Sequence, residues 1–265
     1  MRIGFRLAIH VTYDTSGFIA NAPHTQSTIK FTSEGSPPIK ALVLTADLEG
    51  FSRFFSQPDV HLYVPRFLNH VFAALNLSFR GGVIPWLEEK KKKPTPAHGF
   101  PKPIHSKFQG DGALYIWEYN DAFNVGEFFC MLDLFQMNYS KIISTCIHDI
   151  PVADIPSRIR FGLAAGSIYR LEYEDHSDTE YIGYAINLAS RLQKYCPELG
   201  FIASARVELP DKFFKRHVIR VVAKKLKGFP KEVVIVDKQA FESLKSAVKK
   251  KLFDVPSTNA TTRHL

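Results

Sequence analysis

Residues Lys107–Trp117, KFQGDGALYIW, constrain the fold of this chain more than any other stretch. A Gly-Asp-Gly turn leads into an alternating apolar run, the pattern of two antiparallel strands joined by a tight hairpin. The strands are expected near 104–109 and 112–118. The turn also puts one carboxylate, Asp111, at the hairpin tip. Asp-Gly is good turn chemistry in its own right, so Asp111 has a plain reading as a turn residue and a sharper one as a metal ligand.

The neighbouring segments extend this pattern. Ala41–Leu44, in ALVLTADLEGF, reads as a buried strand ending near Asp47. In VPRFLNHVFAALNLSF, Val64, Phe67, Leu68, Val71, Phe72 and Leu75 recur at helical spacing, with Pro65 near the start where proline is tolerated. One long amphipathic helix is expected from about Ala122 to Cys146, with Val125, Phe128, Phe129, Leu132, Phe135, Tyr139, Ile142 and Ile143 on one face. RIRFGLAAG sets Ile159, Phe161 and Leu163 against Arg158, Arg160 and Gly162, as a strand does. IGYAINLASRLQKYC reads as a helix, GFIAS as a short strand, and HVIRVVAKKLKGFPKEVVIVD as two strands around a Lys-Gly turn. A terminal helix and a frayed tail close the chain. The order β-α-β-β-α-β defines an α+β fold with a ferredoxin-like split βαβ core, extended at its C-terminal end. It predicts a mainly antiparallel sheet with helices on one face.

The expected organisation has three parts. Residues 1–39 form an N-terminal strand and an irregular segment, 40–237 the main domain, and 238–265 a C-terminal helix and tail. Residues 81–105, with Gly81-Gly82, Lys90–Lys93 and five prolines, read as a long basic loop. The start, MRIGFRLAIHVTY, is broken by Arg6 and His10 and reads as a strand, not a signal peptide.

Composition excludes several classes. The 265 residues are 45% hydrophobic, enough for a sizeable core. The three cysteines, Cys130, Cys146 and Cys196, have no paired spacing, which argues against a disulfide framework or zinc site and fits a reducing, cytoplasmic compartment. No apolar run approaches the roughly 18 residues needed to span a membrane. The formal net charge of +8 fits nucleic acid, anionic lipid or a small polyanion. The lysine run lacks interleaved aromatic residues, which argues against single-strand nucleic-acid binding; with no spanning apolar run either, neither nucleic acid nor membrane is expected as a partner.

The predicted topology makes the strand ending at Asp47 a neighbour of the hairpin tipped by Asp111. Two adjacent unpaired carboxylates are costly, and a shared divalent cation removes that cost. Oxygen-only ligation suits Mg²⁺ or Mn²⁺. Between the carboxylates lies Gly50-Phe51-Ser52, a glycine before a helix start, where backbone N–H groups can hold phosphate. Together these signals suggest a metal–triphosphate site.

Three blocks, ADLEGFS (46–52), KFQGDG (107–112) and EYIGYAINLASR (180–191), resemble the catalytic domain of class III nucleotidyl cyclases, the adenylate and guanylate cyclase family. RIRFGLAAG fits the family's strand after the second helix, and the resemblance spans roughly residues 40–237. It implies that Asp47, Asp111 and the Leu48 carbonyl hold two divalent cations, Mn²⁺ or Mg²⁺. It implies that Asn187 and Arg191, four apart on a predicted helix, orient the ribose and stabilise charge on the α-phosphate. It also implies a homodimer, with the aspartates of one subunit facing Asn187 and Arg191 of the other. Lys227, in the LKG turn, matches a phosphate-contacting position but is equally ordinary turn filler.

Base choice stays open at this point. Lys107 and Glu180 stand where adenine-using members carry lysine and aspartate. Glutamate is one methylene longer than aspartate, and distance decides a buried hydrogen bond to a base edge. Tyr184 stands where a small polar residue is common and would narrow the pocket. A short cyclase with no recognisable sensor or anchor looks most like the Pycsar antiphage branch, which makes cyclic UMP or cyclic CMP for a downstream cyclic-nucleotide-binding effector. A pyrimidine nucleotide is therefore the expected substrate, with adenylate or guanylate cyclase as the alternative. An inactive nucleotide-binding homologue is the alternative of another class, although Asp47, Asp111, Asn187 and Arg191 are all present.

Overall fold

The computed structural model describes residues 31–32, 35–81, 99–148, 150–173, 178–214 and 217–254. The expected N-terminal strand, the lysine run and the tail from residue 255 lie outside the described residues. The chain divides into two compact units, one of Met1–Gly35 with Leu171–Glu180 and one of Ser36–Arg170 with Tyr181–Leu265. In the smaller unit Phe31 forms a bridge with Tyr173, ring centroids 4.9 Å apart, and Thr32 N–H donates to the Glu172 carbonyl.

The described elements follow the predicted order, almost all of them in the larger unit. Strand β1 (Ile39–Glu49) leads into a five-residue helix α1 (Phe51–Phe55) and then α2 (Val64–Phe79). The hairpin strands are β2 (His105–Phe108) and β3 (Gly112–Glu118), followed by α3 (Val125–Met137) and α4 (Tyr139–Ile147). Strand β4 (Arg158–Glu172), β5 (Thr179–Gly183) and helix α5 (Tyr184–Tyr195) come next. Strand β6 (Phe201–Ser204), a single turn α6 (Asp211–Phe214), β7 (Val218–Ala223) and β8 (Glu232–Asp237) complete the sheet's centre and far side. Two short helices, α7 (Lys238–Ser243) and α8 (Ser246–Leu252), end in β9 (Phe253–Asp254). Among the described residues the strands form one sheet in the order β2-β3-β1-β4-β6-β8-β7-β9, with β5 paired to β4 off that path. The β2-β3-β1-β4 half is the split βαβ arrangement, antiparallel throughout; β4 and β6 run parallel.

Three expectations are corrected. Helices cover both faces of the sheet, not one. Leu42, Leu44, Ala46, Tyr115 and Trp117 pack against the α2–α4 side, whereas Ala41, Val43, Leu114 and Ile116 join Leu188, Ala189 and Leu192 of α5. Strand β1 is accordingly buried without a break from Ala41 to Leu48, as strands covered on both faces are. The long helix expected over 122–146 is two helices. Asn124 caps the first by accepting from Glu127 N–H at 3.2 Å. Asn138 ends it by turning its side-chain amide back to the Leu134 carbonyl at 2.9 Å, competing with the backbone ladder. The C-terminal segment is two short helices and a strand, because Phe253 returns to pair with Ala223 of β7 and packs beneath Phe241.

The α2–α4 side is dominated by rings: Phe79, Trp117, Phe123 and Phe128 meet edge-on or stacked at 5.0–6.3 Å. The Trp117 indole N–H is satisfied by the Pro101 carbonyl at 2.8 Å. On the opposite side α5 lies so close to β4 that a Cβ on Gly162 would overlap the Ala189 carbonyl oxygen and approach Gln193 N to 2.6 Å. Gly162→Ala is therefore expected to force α5 off the sheet and cost about 1–3 kcal/mol, read as a lower urea midpoint at unchanged m-value.

Candidate active site

Strand pairing brings the backbone of Asp47 next to the hairpin that carries Asp111. Asp47 lies opposite Gly112 on β3 and opposite Arg160 on β4. The next residue, Leu48, donates its N–H to the Asp111 carbonyl at 3.0 Å, which ties the end of β1 to the hairpin tip. Gly112 is required there, because any Cβ would overlap the Ala46 carbonyl oxygen. Gly110 provides the positive φ, +85°, that turns the hairpin. Asp47 is buried and Asp111 half-buried.

Asp47, Thr45 and Glu49 alternate onto the α5 side of the sheet, since Leu44, Ala46 and Leu48 point to the other. Lys107 is paired with Leu114, whose side chain joins the α5-side core, so the exposed Lys107 stands on that same face near the sheet edge. Gly50 is exposed with φ +84° and starts α1, followed by half-buried Phe51 and exposed Ser52. Glu180 is half-buried on β5, in the smaller unit.

Asn187 and Arg191 are placed differently. Helix α5 turns Ala185, Leu188, Ala189, Leu192 and Gln193 to the protein interior, leaving Asn187 and Arg191 exposed on its outer side. Among the described residues no hydrogen bond or ion pair links either of them to Asp47 or Asp111. The structure thus brings the backbones of Asp47 and Asp111 together, sets the Asn/Arg pair on a separate, outward surface, and places exposed Lys227 in the β7–β8 turn.

Arg160 adjoins the candidate site, although sequence patterning marked it only as the polar side of a strand. Its guanidinium bonds the Asp47 carboxylate, with both side chains largely buried. The signal was its alternation with Ile159 and Phe161; its partner depends on strand register. A second cluster forms around Glu232, which is only 4% exposed. Glu232 accepts from Ser204 Oγ at 2.9 Å, Arg206 Nε at 3.1 Å and the Tyr184 hydroxyl at 3.2 Å. Burial, with the Glu232 charge second, raises the Tyr184 phenol pKa. Glu232, Ser204 and Arg206 were not singled out from sequence.

Among the described residues no group of three or more His, Cys, Asp or Glu side chains could hold a metal ion. Two carboxylates and a backbone carbonyl nevertheless suit Mg²⁺ or Mn²⁺, which commonly bind through one or two carboxylates together with substrate phosphates. One expectation is corrected here: Asp47 is not an unpaired carboxylate, because Arg160 already supplies it a positive partner. No helix among the described residues is long and apolar enough to cross a membrane.

No protein-family model matches the sequence, and no curated protein matches it. Solved structures share its fold. The adenylyl cyclase CyaB from P. aeruginosa superposes with a TM-score of 0.54 over 76% of this chain and 95% of its own, at 15% identity. The guanylyl cyclase Cya2 does so with a TM-score of 0.52 over 77% of this chain and 93% of its own, at 17% identity. The chain has the α+β fold of a class III cyclase domain.

Proposed function

We propose that this chain is a nucleotidyl cyclase that converts a nucleoside triphosphate to a 3′,5′-cyclic nucleotide and pyrophosphate at sites shared between two copies of the chain. The observation that carries it is the pairing that brings Asp47 beside the Asp111 hairpin, on a fold shared with adenylyl and guanylyl cyclases. Asp47, Asp111 and the Leu48 carbonyl would hold two divalent cations, Mn²⁺ or Mg²⁺. Bound there, the cations would supply charge for the triphosphate and acidify the ribose 3′ hydroxyl. Gly50, Phe51 and Ser52 offer backbone N–H groups to the phosphates.

The chain's own side chains divide the remaining work. Arg191 would meet charge that develops on the α-phosphate as the 3′ oxygen attacks and pyrophosphate leaves. Asn187, one turn earlier, would fix the ribose so that its 3′ oxygen is in line. Because both point away from their own sheet, they are suited to a nucleotide held by the aspartates of a second chain, and the proposed active form is a homodimer. Lys227 would add a phosphate contact.

For the base we favour a pyrimidine, UTP or CTP, because the bulky Tyr184 ring, three residues before Asn187 on α5, would narrow the space left for a purine. An adenine alternative rests on Lys107 and Glu180. The resemblance to antiphage cyclases would put a cyclic-nucleotide-binding effector downstream. Incubation of the purified chain with Mn²⁺ and each of ATP, GTP, CTP and UTP, followed by product masses, tests both levels. A cyclic pyrimidine nucleotide is the expected product. Cyclic AMP or cyclic GMP would keep the reaction and overturn the base; no cyclic product from any of the four would overturn the reaction.

A further inference from the structure

We propose that the buried Glu232 cluster locks the Tyr184 ring in place and thereby makes Tyr184 the base-selecting residue of the α5 half-site. The inference rests on the cyclase site proposed above and deepens it.

Tyr184 is the first residue of α5, three before Asn187 and seven before Arg191. At about 1.5 Å rise per residue, Tyr184 and Arg191 are about 10 Å apart along the axis with Asn187 between them. All three are exposed along the helix. A nucleotide with its α-phosphate at Arg191 and its ribose at Asn187 therefore brings its base to Tyr184. The ring there would set the space left for that base.

An exposed tyrosine ordinarily samples several rotamers, but this ring is held on three sides. Its hydroxyl donates to Glu232 Oε2 at 3.2 Å. The Arg206 guanidinium lies over its face, 5.1 Å from the centroid. Phe229 meets it edge-on at 5.1 Å, and Phe229 belongs to the same β7–β8 turn as Lys227. Glu232 cannot relax to accommodate another arrangement. It is buried at the start of β8, and its other oxygen is taken by Ser204 of β6 and by Arg206. The ring is thus pinned to the sheet by a carboxylate whose neutralising partner, Arg206, also covers the ring. Glu232, Ser204 and Arg206 are positioning residues; Tyr184 is the one that would touch the base.

Tyr184→Phe removes only the hydroxyl, and Glu232→Met cuts the same bond from the other side. The readout is the ratio of kcat/KM for the preferred nucleotide to kcat/KM for the best nucleotide of the other base class. That ratio does not change with the fraction of folded enzyme. Each variant is expected to shift it by about tenfold, the scale of one lost hydrogen bond to a charged group. The double variant is expected to shift it by less than the product of the two single effects, because both changes remove the Tyr184–Glu232 bond. An unchanged ratio in active Tyr184→Phe would overturn the inference while leaving the cyclase reading intact, and Tyr184→Phe decides even where Glu232→Met does not fold. Should the parent chain make no cyclic product, the cyclase reading fails, and base selection at that site fails with it. Hydrogen exchange then tests the lock alone. The Leu188–Ser190 amides, which bond back to the first turn of α5, are expected to exchange faster in Tyr184→Phe, and unchanged exchange there would overturn the lock as well.

Discussion

Replacing Asp47 with asparagine is expected to lower cyclic-nucleotide formation by about 10²–10³-fold, the scale seen when a group that stabilises transition-state charge is removed. Asparagine keeps the shape and one oxygen but loses the negative charge that a divalent cation needs, so Mn²⁺ binding measured by calorimetry should weaken in parallel. The fold should survive. Arg160 keeps an oxygen acceptor in the asparagine variant, whereas alanine would remove the carboxylate that its largely buried guanidinium bonds, and its Nε already makes no hydrogen bond among the described residues. Asp47→Ala is therefore expected to lose stability as well as activity, and the difference between the two variants separates the charge from the scaffold. Full activity in Asp47→Asn would remove the metal assignment.

That outcome depends on an arrangement only partly legible in the sequence. The hairpin at 107–117 and helix 64–79 were readable because a Gly-Asp-Gly turn and a 3.6-residue apolar repeat each admit few alternatives. The continuous apolar run ALVL was also a signal that β1 is covered on both sides, although the topology alone pointed to helices on one face. The break at Asn138 was hidden because Phe135, Tyr139, Ile142 and Ile143 keep the apolar stripe in phase across it, and one side-chain amide decides where the ladder stops. The pairing of Arg160 with Asp47 depends on the register of two strands 113 residues apart, which local pattern does not carry. The same holds for Glu232, whose three partners come from α5, β6 and the residues just after β6. Reading Tyr184 as a bulky residue in a pocket was possible from its position; seeing what holds it was not.

Arg191→Ala is the second large effect. Arg191 is exposed at the outer side of α5, so its loss should leave stability nearly unchanged, within about 0.5 kcal/mol. Turnover should nevertheless fall by about 10²–10³-fold, because a guanidinium that meets developing phosphate charge acts mainly in the transition state. The loss should appear mostly in kcat. A stable Arg191→Ala chain with unaltered kcat would show that the outer surface of α5 takes no part in the chemistry.

The two variants together test the shared site directly. Asp47→Asn spoils the metal half of each site and Arg191→Ala the α5 half. In a mixed dimer both defects fall in one of the two sites, and the other site is whole. Random exchange of equal amounts makes about half of all dimers mixed, each with one intact site, so the mixture should recover about a quarter of the parent activity. The measurement is cyclic product, identified by mass, from the mixture and from each variant alone, with mixed dimers verified by native mass spectrometry. Recovery near a quarter, from two nearly inactive parents, is the result expected for a cyclase site built across two chains. A mixture as inactive as its components, with mixed dimers present, would contradict it.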